Sequence, residues 1–475
     1  MSERLGRRAL SLGAANATDY ALQFLLPVVL VRCLETEDFG QYRLLWLAVG
    51  TVMAVVTQAM SGSLHFFLPR ADAAAKRLYI NQTLLFLGAA GAVAAWAVSA
   101  ADPWLPQSLH ALAQHASVPL FVMLWVLASL LDLLPTIEER VAWQARATVG
   151  LAALRSVALS LAAFVTGELA PVLWVLLAFV GFKVALLLFY VARYHGLRPP
   201  LARWRVLRHQ VGYAAPFGAT GALYGLRLQA DQWVAAALFS VGQFAAFSIA
   251  AVLGPLVNLC RQSALHAFLP GMSRQHAAGD VAGMLALNRR ANAMVAAAVF
   301  PLLAFAFVFA EEIVTVVYTA AYGDAAPVMR VYIVGLAALV IELTSLVLLL
   351  EQGSFALRLG AAVLAASVAL SWGAAQAFGL AGAAAGSVAA VYLDLGFTLR
   401  RIAQRTGVPL AQLQDWRALG LALLLGALAA AFAWGVVGLY LAASAALVRL
   451  AAGAVFLAGA YLAIAAASTA RPAPC

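Results

Sequence analysis

Long apolar stretches, separated by short polar or charged loops, recur along the whole chain. They fall near residues 9–33, 41–67, 79–100, 117–136, 147–166, 170–192 and 211–237, then 243–269, 288–310, 327–350, 356–378, 381–399, 418–440 and 444–468. A bilayer core about 30 Å thick needs roughly 20 apolar residues to be crossed as a helix, and each stretch is close to that length. Within hydrocarbon the backbone must satisfy its own polar groups, which a helix does inside one segment. The pattern predicts an all-α polytopic membrane protein of about fourteen transmembrane helices.

Composition agrees. Hydrophobic residues make up 64% of the 475 and charged residues 11%, and the mean hydropathy is +0.92, outside the balance of soluble domains. Arg4, Arg7 and Arg8 precede the first stretch as in a signal peptide, but the apolar run is too long and no small-residue cleavage site follows. It reads as a retained first helix. The net charge of +10 is spread in short clusters between apolar runs, which points to anionic lipid heads and away from nucleic acid. With the N-terminus inside, only Arg32, Arg43, Arg330 and Arg449 fall on outer loops, and Arg155, Lys183, Arg227 and Arg261 fall within helices. The remaining cations are cytoplasmic, so the positive-inside rule puts both termini in the cytoplasm.

The longest basic segment, 193–209, contains Pro199-Pro200, after which Leu201, Trp204 and Leu207 lie opposite Arg203, Arg205 and Arg208. Such a segment is expected to lie on the inner leaflet as an interfacial helix. It separates two halves that share short matches. Phe39-Gly40-Gln41-Tyr42 corresponds to Val241-Gly242-Gln243-Phe244. Ser63-Leu64-His65-Phe66-Phe67-Leu68-Pro69 corresponds to Ala264-Leu265-His266-Ala267-Phe268-Leu269-Pro270. Order and spacing agree, the mark of an internal duplication. An even number of helices separates the copies, so the halves relate by a pseudo-two-fold axis along the membrane normal. The expected organisation is a six-helix lobe over 1–192, a basic interfacial segment over 193–210, a second six-helix lobe over 211–405, and two extra helices with a short tail over 406–475.

The opening Leu12-Gly13-Ala14-Ala15-Asn16, then Phe24-Leu25-Leu26-Pro27 and Asp38-Phe39-Gly40-Gln41-Tyr42, resembles the polysaccharide-flippase branch of the multidrug/oligosaccharidyl-lipid/polysaccharide exporter superfamily. In the second half Asp231, Val241-Gly242-Gln243-Phe244, Leu269-Pro270 and Tyr322-Gly323-Asp324 are similar to the same pattern. The resemblance spans nearly the whole chain on short motifs. It implies two six-helix lobes plus two helices, with the first, second, seventh and eighth stretches lining a central crevice.

Soluble-enzyme chemistry is not legible. The chain has no P-loop, HExxH or CxxC pattern, and Cys33, Cys260 and Cys475 are widely separated, so no cofactor, metal or catalytic residue is expected. His65 and His266 occupy equivalent repeat positions and read as helix-end residues. The informative groups are charges inside apolar stretches, where an Arg or Asp costs about 2.5–3.5 kcal/mol on the insertion scale and normally faces a cavity or a partner. Asp19 shares a face with Asn16 and Gln23, and is either a cation-coupling site or the partner of an Arg. Arg227 and Asp231 stand four apart, which on one helix makes a pair; that pair is either structural or part of a site. Arg261 has no acid three or four residues away and is a candidate anion contact. Arg155 and Lys183 either snorkel or line the first lobe, and Glu342 lies in the tenth stretch.

These residues support a transporter rather than an enzyme. The reading is a flippase that moves a polyprenyl-pyrophosphate-linked oligosaccharide across a bacterial inner membrane by alternating access. Its partners are that lipid-linked substrate, membrane lipids, and a polysaccharide polymerase or glycosyltransferases. The alternative is a cation-coupled multidrug exporter of the same superfamily using Asp19, Asp231 or Glu342. A membrane glycosyltransferase or polymer ligase is disfavoured, because the outer loops near 101–116 and 311–326 are short and hold few reactive groups.

Overall fold

The computed structural model describes residues 2–100, 115–196 and 199–469. The expected outer loop near 101–116 lies mostly outside the described residues, as do Arg198, Arg471 and Cys475. Every regular element among the described residues is helical, as a backbone in hydrocarbon requires.

The chain forms two units. The first comprises Met1–Gln229 and Ala236–Ala245, and the second Ala230–Ala235 and Ala246–Cys475. The first holds α1 (Ser2–Cys33), α2 (Thr36–Phe67), α3 (Ala73–Ala100), α4 (Ser117–Ala128), α5 (Leu134–Ile137), α6 (Val141–Thr166), α7 (Leu169–Tyr194) and α8 (Trp204–Arg227). α9 (Ala230–Leu238) and α10 (Val241–Ala250) are shared between the units. The second holds α11 (Gly254–Ala277), α12 (Val281–Val308), α13 (Ala310–Tyr318), α14 (Ala325–Leu339), α15 (Thr344–Leu349) and α16 (Gly353–Thr406). It ends with α17 (Leu410–Leu413), α18 (Trp416–Tyr440) and α19 (Ala446–Thr469).

Among the described residues, eleven helical stretches are long and apolar enough to cross a bilayer. Each of the expected apolar stretches falls on helix, but several are interrupted. The fourth breaks after α4 into a 3₁₀ turn, Ser129–Asp132, before α5 with its Pro135. The seventh breaks at Leu228 and Gln229, the eighth before Pro255, and the tenth over 340–343. The eleventh and twelfth are the two arms of α16, which turns at Gly379 (φ 66°, ψ −146°), a backbone state open to glycine alone.

In lipid, helices associate chiefly by close packing of small residues. A Cβ on Gly382 would strike the Ala374 carbonyl oxygen, and one on Gly386 the backbone at Leu370 and Ser371. The arms of α16 therefore run antiparallel in direct backbone contact. A Cβ on Gly426 of α18 would lie only 3.0 Å from the backbone of Pro301 of α12. Buried apolar side chains close each unit. Leu64, Leu87, Leu130, Leu187 and Tyr190 centre the first; Met272, Met284, Leu346 and Ile402 centre the second. Phe309, Ala430, Ala433 and Leu457 fix the last two helices to it.

The two segments that match in sequence touch. A Cβ on Gly40 would meet the Val241 carbonyl, and one on Gly242 would lie 3.5 Å from Thr36 Cγ2. His65 and His266 are both exposed on their helices. The inter-lobe segment departs from expectation. No separate interfacial helix forms among its described residues; α8 starts at Trp204 and continues unbroken to Arg227. The reason is a buried anchor. Gln210 donates to Ser63 Oγ (2.8 Å) and Thr83 Oγ1 (3.2 Å) and accepts from Gln82 Nε2 (2.5 Å), tying α8 to α2 and α3 at its first turns.

Candidate functional site

The first unit contains a cavity of about 150 Å³ among α1, α4, α6 and α7. Three of the expected site residues meet in it: Asp19, Arg155 and Lys183. Asp19 and Gln23 project from successive turns of α1, and Gln23 Nε2 donates to Asp19 Oδ2 at 2.7 Å. Arg155 of α6 brings Nη2 to 3.8 Å from Asp19 Oδ1, a loose pairing, so Asp19 has an Arg partner, one of the two alternatives open for it. Asn16, one turn before Asp19, is exposed and not among the cavity-lining residues.

Lys183 does not snorkel. Its side chain is only 8% exposed, and Nζ donates to Asp132 Oδ2 at 2.8 Å while lying 5.1 Å from the Trp125 ring centroid. Asp132 ends the 3₁₀ turn between α4 and α5, so the break in the fourth stretch aims this carboxylate across to α7. Gln144 of α6 is buried and donates Nε2 to Thr148 Oγ1 at 3.1 Å. Its Oε1 and the Nε of Arg155 are buried without a hydrogen-bond partner.

The second unit holds two further polar centres. Arg261 of α11 donates Nη2 to Asn258 Oδ1 at 3.1 Å, and Nη1 lies 3.9 Å from Glu342 Oε1. No acid lies three or four residues from Arg261 along its own helix, as the sequence reads; the acid near it comes from another helix, because the break between α14 and α15 carries Glu342 toward α11. Glu342 itself is well satisfied. Its carboxylate accepts from Thr344 N (2.7 Å) and Ser345 Oγ (2.6 Å), closing the start of α15. Asn288 and Asn292 of α12 hold the Glu342 backbone (3.0 and 3.1 Å) and Gln414 bonds both. Buried polar groups need such partners, which is how a helix break persists inside an apolar bundle.

Asp231 is the other centre. It begins α9, is buried, and accepts from Tyr332 Oη (2.8 Å), from Gln232 N (2.8 Å) and from Ser387 on the second arm of α16. Arg227 ends α8. The two therefore stand on successive helices, not one turn apart on a single helix as the spacing implied; Leu228 and Gln229 interrupt the register. Arg227 lies 6.0 Å from the Tyr224 ring centroid.

Outside the spans, Glu138 follows α5 and gathers Tyr190 Oη (2.5 Å), His195 Nε2 (2.6 Å) and Arg140 Nε (3.8 Å). Burial pushes its carboxyl up, but the bonds from His195 and Tyr190 and the nearby Arg140 charge outweigh this and hold it below the ordinary value. Sequence reasoning missed Asp132, Gln144 and Trp125. Asp132 carried a readable signal, an acid inside an apolar stretch three residues before a proline; Gln144 and Trp125 carried none.

Comparison with known proteins bears on this architecture. A family model described as polysaccharide biosynthesis protein matches residues 29–327, well over half of the chain. No curated protein matches the sequence. Among solved structures, the lipid II flippase MurJ in an inward closed conformation is similar with a TM-score of 0.74 at 12% identity, covering 97% of this chain and 99% of that one. An inward-facing multidrug resistance MATE family transporter of the MOP superfamily is similar with a TM-score of 0.62 at 12% identity, over 82% of this chain and 95% of that one. A MOP superfamily transporter from Pyrococcus furiosus, with a binding pocket of reverse polarity, gives a TM-score of 0.52 at 12% identity over 84% and 96%. At such identities the likeness is one of fold.

Proposed function

The chain belongs to the family of polysaccharide biosynthesis proteins, and from that premise we propose that it flips a polyprenyl-pyrophosphate-linked oligosaccharide across a bacterial inner membrane. The physical problem such a carrier solves is the passage of a charged, hydroxyl-rich head through hydrocarbon while its polyprenyl tail stays in lipid. Guanidinium groups suit the pyrophosphate, since their planar fork makes paired, charge-assisted hydrogen bonds to phosphate oxygens. Polar side chains accommodate sugar, and two lobes rocking about the substrate expose it to each side in turn. The step forms no covalent bond. Fourteen spans with both termini cytoplasmic complete the reading, with glycosyltransferases supplying the substrate and a polymerase consuming it.

The observation that carries it is the condition of Arg261. A cation inside an apolar helix is costly unless matched, yet its acid is 3.9 Å away and its Nε is buried without a partner. It retains hydrogen-bonding capacity toward an anion. The test is export of the polymer in a strain depending on this protein. Arg261→Ala abolishes export at unchanged protein level, and Arg261→Lys rescues only in part, because Lys keeps the charge and loses the fork. Full export by Arg261→Ala, or loss explained wholly by degradation, rules out this anion contact. Loss of drug efflux with polymer export intact, in the deletion strain, favours the multidrug exporter instead.

A further inference from the structure

We propose that the cavity of the first unit seats one neutral sugar ring of the carried head group, an assignment that rests on the flippase reading above and specifies what its first unit recognises. Charge is the first argument. Two cations and two carboxylates line the cavity, with Lys183 against Asp132 and Arg155 facing Asp19. The lining has no net charge to draw in pyrophosphate or a uronic acid. An inorganic cation or a cationic drug would have to settle beside Arg155 and Lys183, which repel it.

The second argument is the state of the hydrogen bonds. Gln144 is only 4% exposed, lines the cavity, and leaves its Oε1 acceptor unpartnered, while Arg155 leaves its Nε donor unpartnered. Buried groups of this kind normally find partners. A ligand that answers both must donate and accept, as a hydroxyl does. Asp19 and Asp132 keep further lone pairs for hydroxyl donors, since an ionised carboxylate offers about four acceptor sites.

Shape is the third. The remaining wall is apolar and aromatic, with Trp125, Phe179 and Leu151 among its members. A pyranose has hydroxyls around its rim and C–H groups on its faces, so one face packs on an aromatic ring while the rim bonds to the polar wall. The volume of about 150 Å³ is roughly ten to fifteen times the ~10–15 Å³ that one water needs. It is also below the roughly 300–1,000 Å³ of sites for drug-sized ligands. One ring is the unit that fits.

The experiment uses the full chain purified in lipid nanodiscs. Two probes are compared: polyprenyl pyrophosphate alone, and the same lipid carrying one neutral N-acetylhexosamine. The wild type binds the glycosylated probe more tightly, and Gln144→Leu reduces that preference roughly tenfold, the scale of one buried hydrogen bond lost with its partner left unmade. Thr148→Val, which frees the Gln144 amide, reduces it in the same direction and serves where Gln144→Leu fails to fold. A preference unchanged in both variants overturns the sugar assignment while leaving the flippase reading standing. Failure of the wild type to bind either probe overturns both. Tighter binding of a uronic-acid probe than of the neutral one, or competition by sodium at the same site, also refutes the assignment.

Discussion

Replacing Gly386 by alanine tests how the arms of α16 are held together. A Cβ at this position would fall on the backbone at Leu370 and Ser371, and one at Gly382 on the Ala374 carbonyl oxygen. Backbone atoms of a packed helix cannot swing aside as a side chain does, so the arms must separate by more than an ångström or the turn at Gly379 must deform. Overpacking of this kind costs typically 1–3 kcal/mol, and more where relaxation is blocked. Against it stands the gain of about 0.5–1 kcal/mol from replacing glycine by alanine inside a helix. The net expectation is a loss of about 1–2 kcal/mol. Gly373, on the first arm, has nothing within 4 Å of its would-be Cβ, so Gly373→Ala shows only the helical gain and is the internal control. Thermal unfolding of detergent-purified protein reads the difference. Gly386→Ala should unfold several degrees below wild type, and Gly373→Ala at or slightly above it. Ser387, one residue on, donates to Asp231, so Gly386→Ala should also disturb that centre. Equal unfolding temperatures for the two variants refute the backbone-contact account of the hairpin.

Three further outcomes follow from the structure. Asp132→Asn should lower the unfolding temperature more than Lys183→Met, because the Lys side chain is 8% exposed and the Asp 56%. Losing the acid strands a buried charge, whereas losing the lysine leaves a hydrated one; equal losses would disprove the asymmetry. The carboxyl of Glu138 is held below its ordinary value of 4.5, so its stabilising contribution is present above that pH and is lost as pH falls through the depressed value. Glu138→Gln should flatten the acid limb of the stability profile below about pH 4.5 and leave it unchanged if the contacts with Tyr190 and His195 are inconsequential. In a background without cysteine, Ala75→Cys, Arg203→Cys and Gln404→Cys should resist impermeant thiol reagents in intact cells, while Asp324→Cys should label; labelling at 203 from outside would reverse the topology. His110→Cys, expected to label too, lies outside the described residues.

The apolar stretches were legible because a bilayer imposes one length and one polarity on every crossing segment. The bond between Asp19 and Gln23 was legible for a similar reason, since helical spacing alone brings them together. The interruptions were not. Whether a helix breaks at 228–229 or at 340–343 depends on groups from elsewhere that take up the freed backbone, such as Asn288 and Asn292 at Glu342, and no local propensity reports them. The same blindness hid the acid beside Arg261, which comes from another helix, and led Arg227 and Asp231 to be placed on one. Asp132 was overlooked although its residue type, inside an apolar run, is the kind of signal that found Asp19.

The breaks also explain how the two units differ in what they leave free. In each, one apolar stretch is interrupted at an acid, Asp132 in the first unit and Glu342 in the second, and each acid faces a cation from another helix. Glu342 spends its carboxylate on the start of α15, accepting from Thr344 and Ser345. That leaves little for Arg261, whose guanidinium stays at 3.9 Å with spare donors. Asp132 caps nothing, grips Lys183 at 2.8 Å, and is still 56% exposed. The spare donors around Arg261 are those of a cation, which on the reading proposed above suit an anion. In the first unit Lys183 is matched, and the groups left over are the Nε of Arg155, loosely paired with Asp19 at 3.8 Å, and the neutral Oε1 of Gln144; on the reading proposed above they suit hydroxyls. A lipid pyrophosphate carrying sugar presents both chemistries in one molecule.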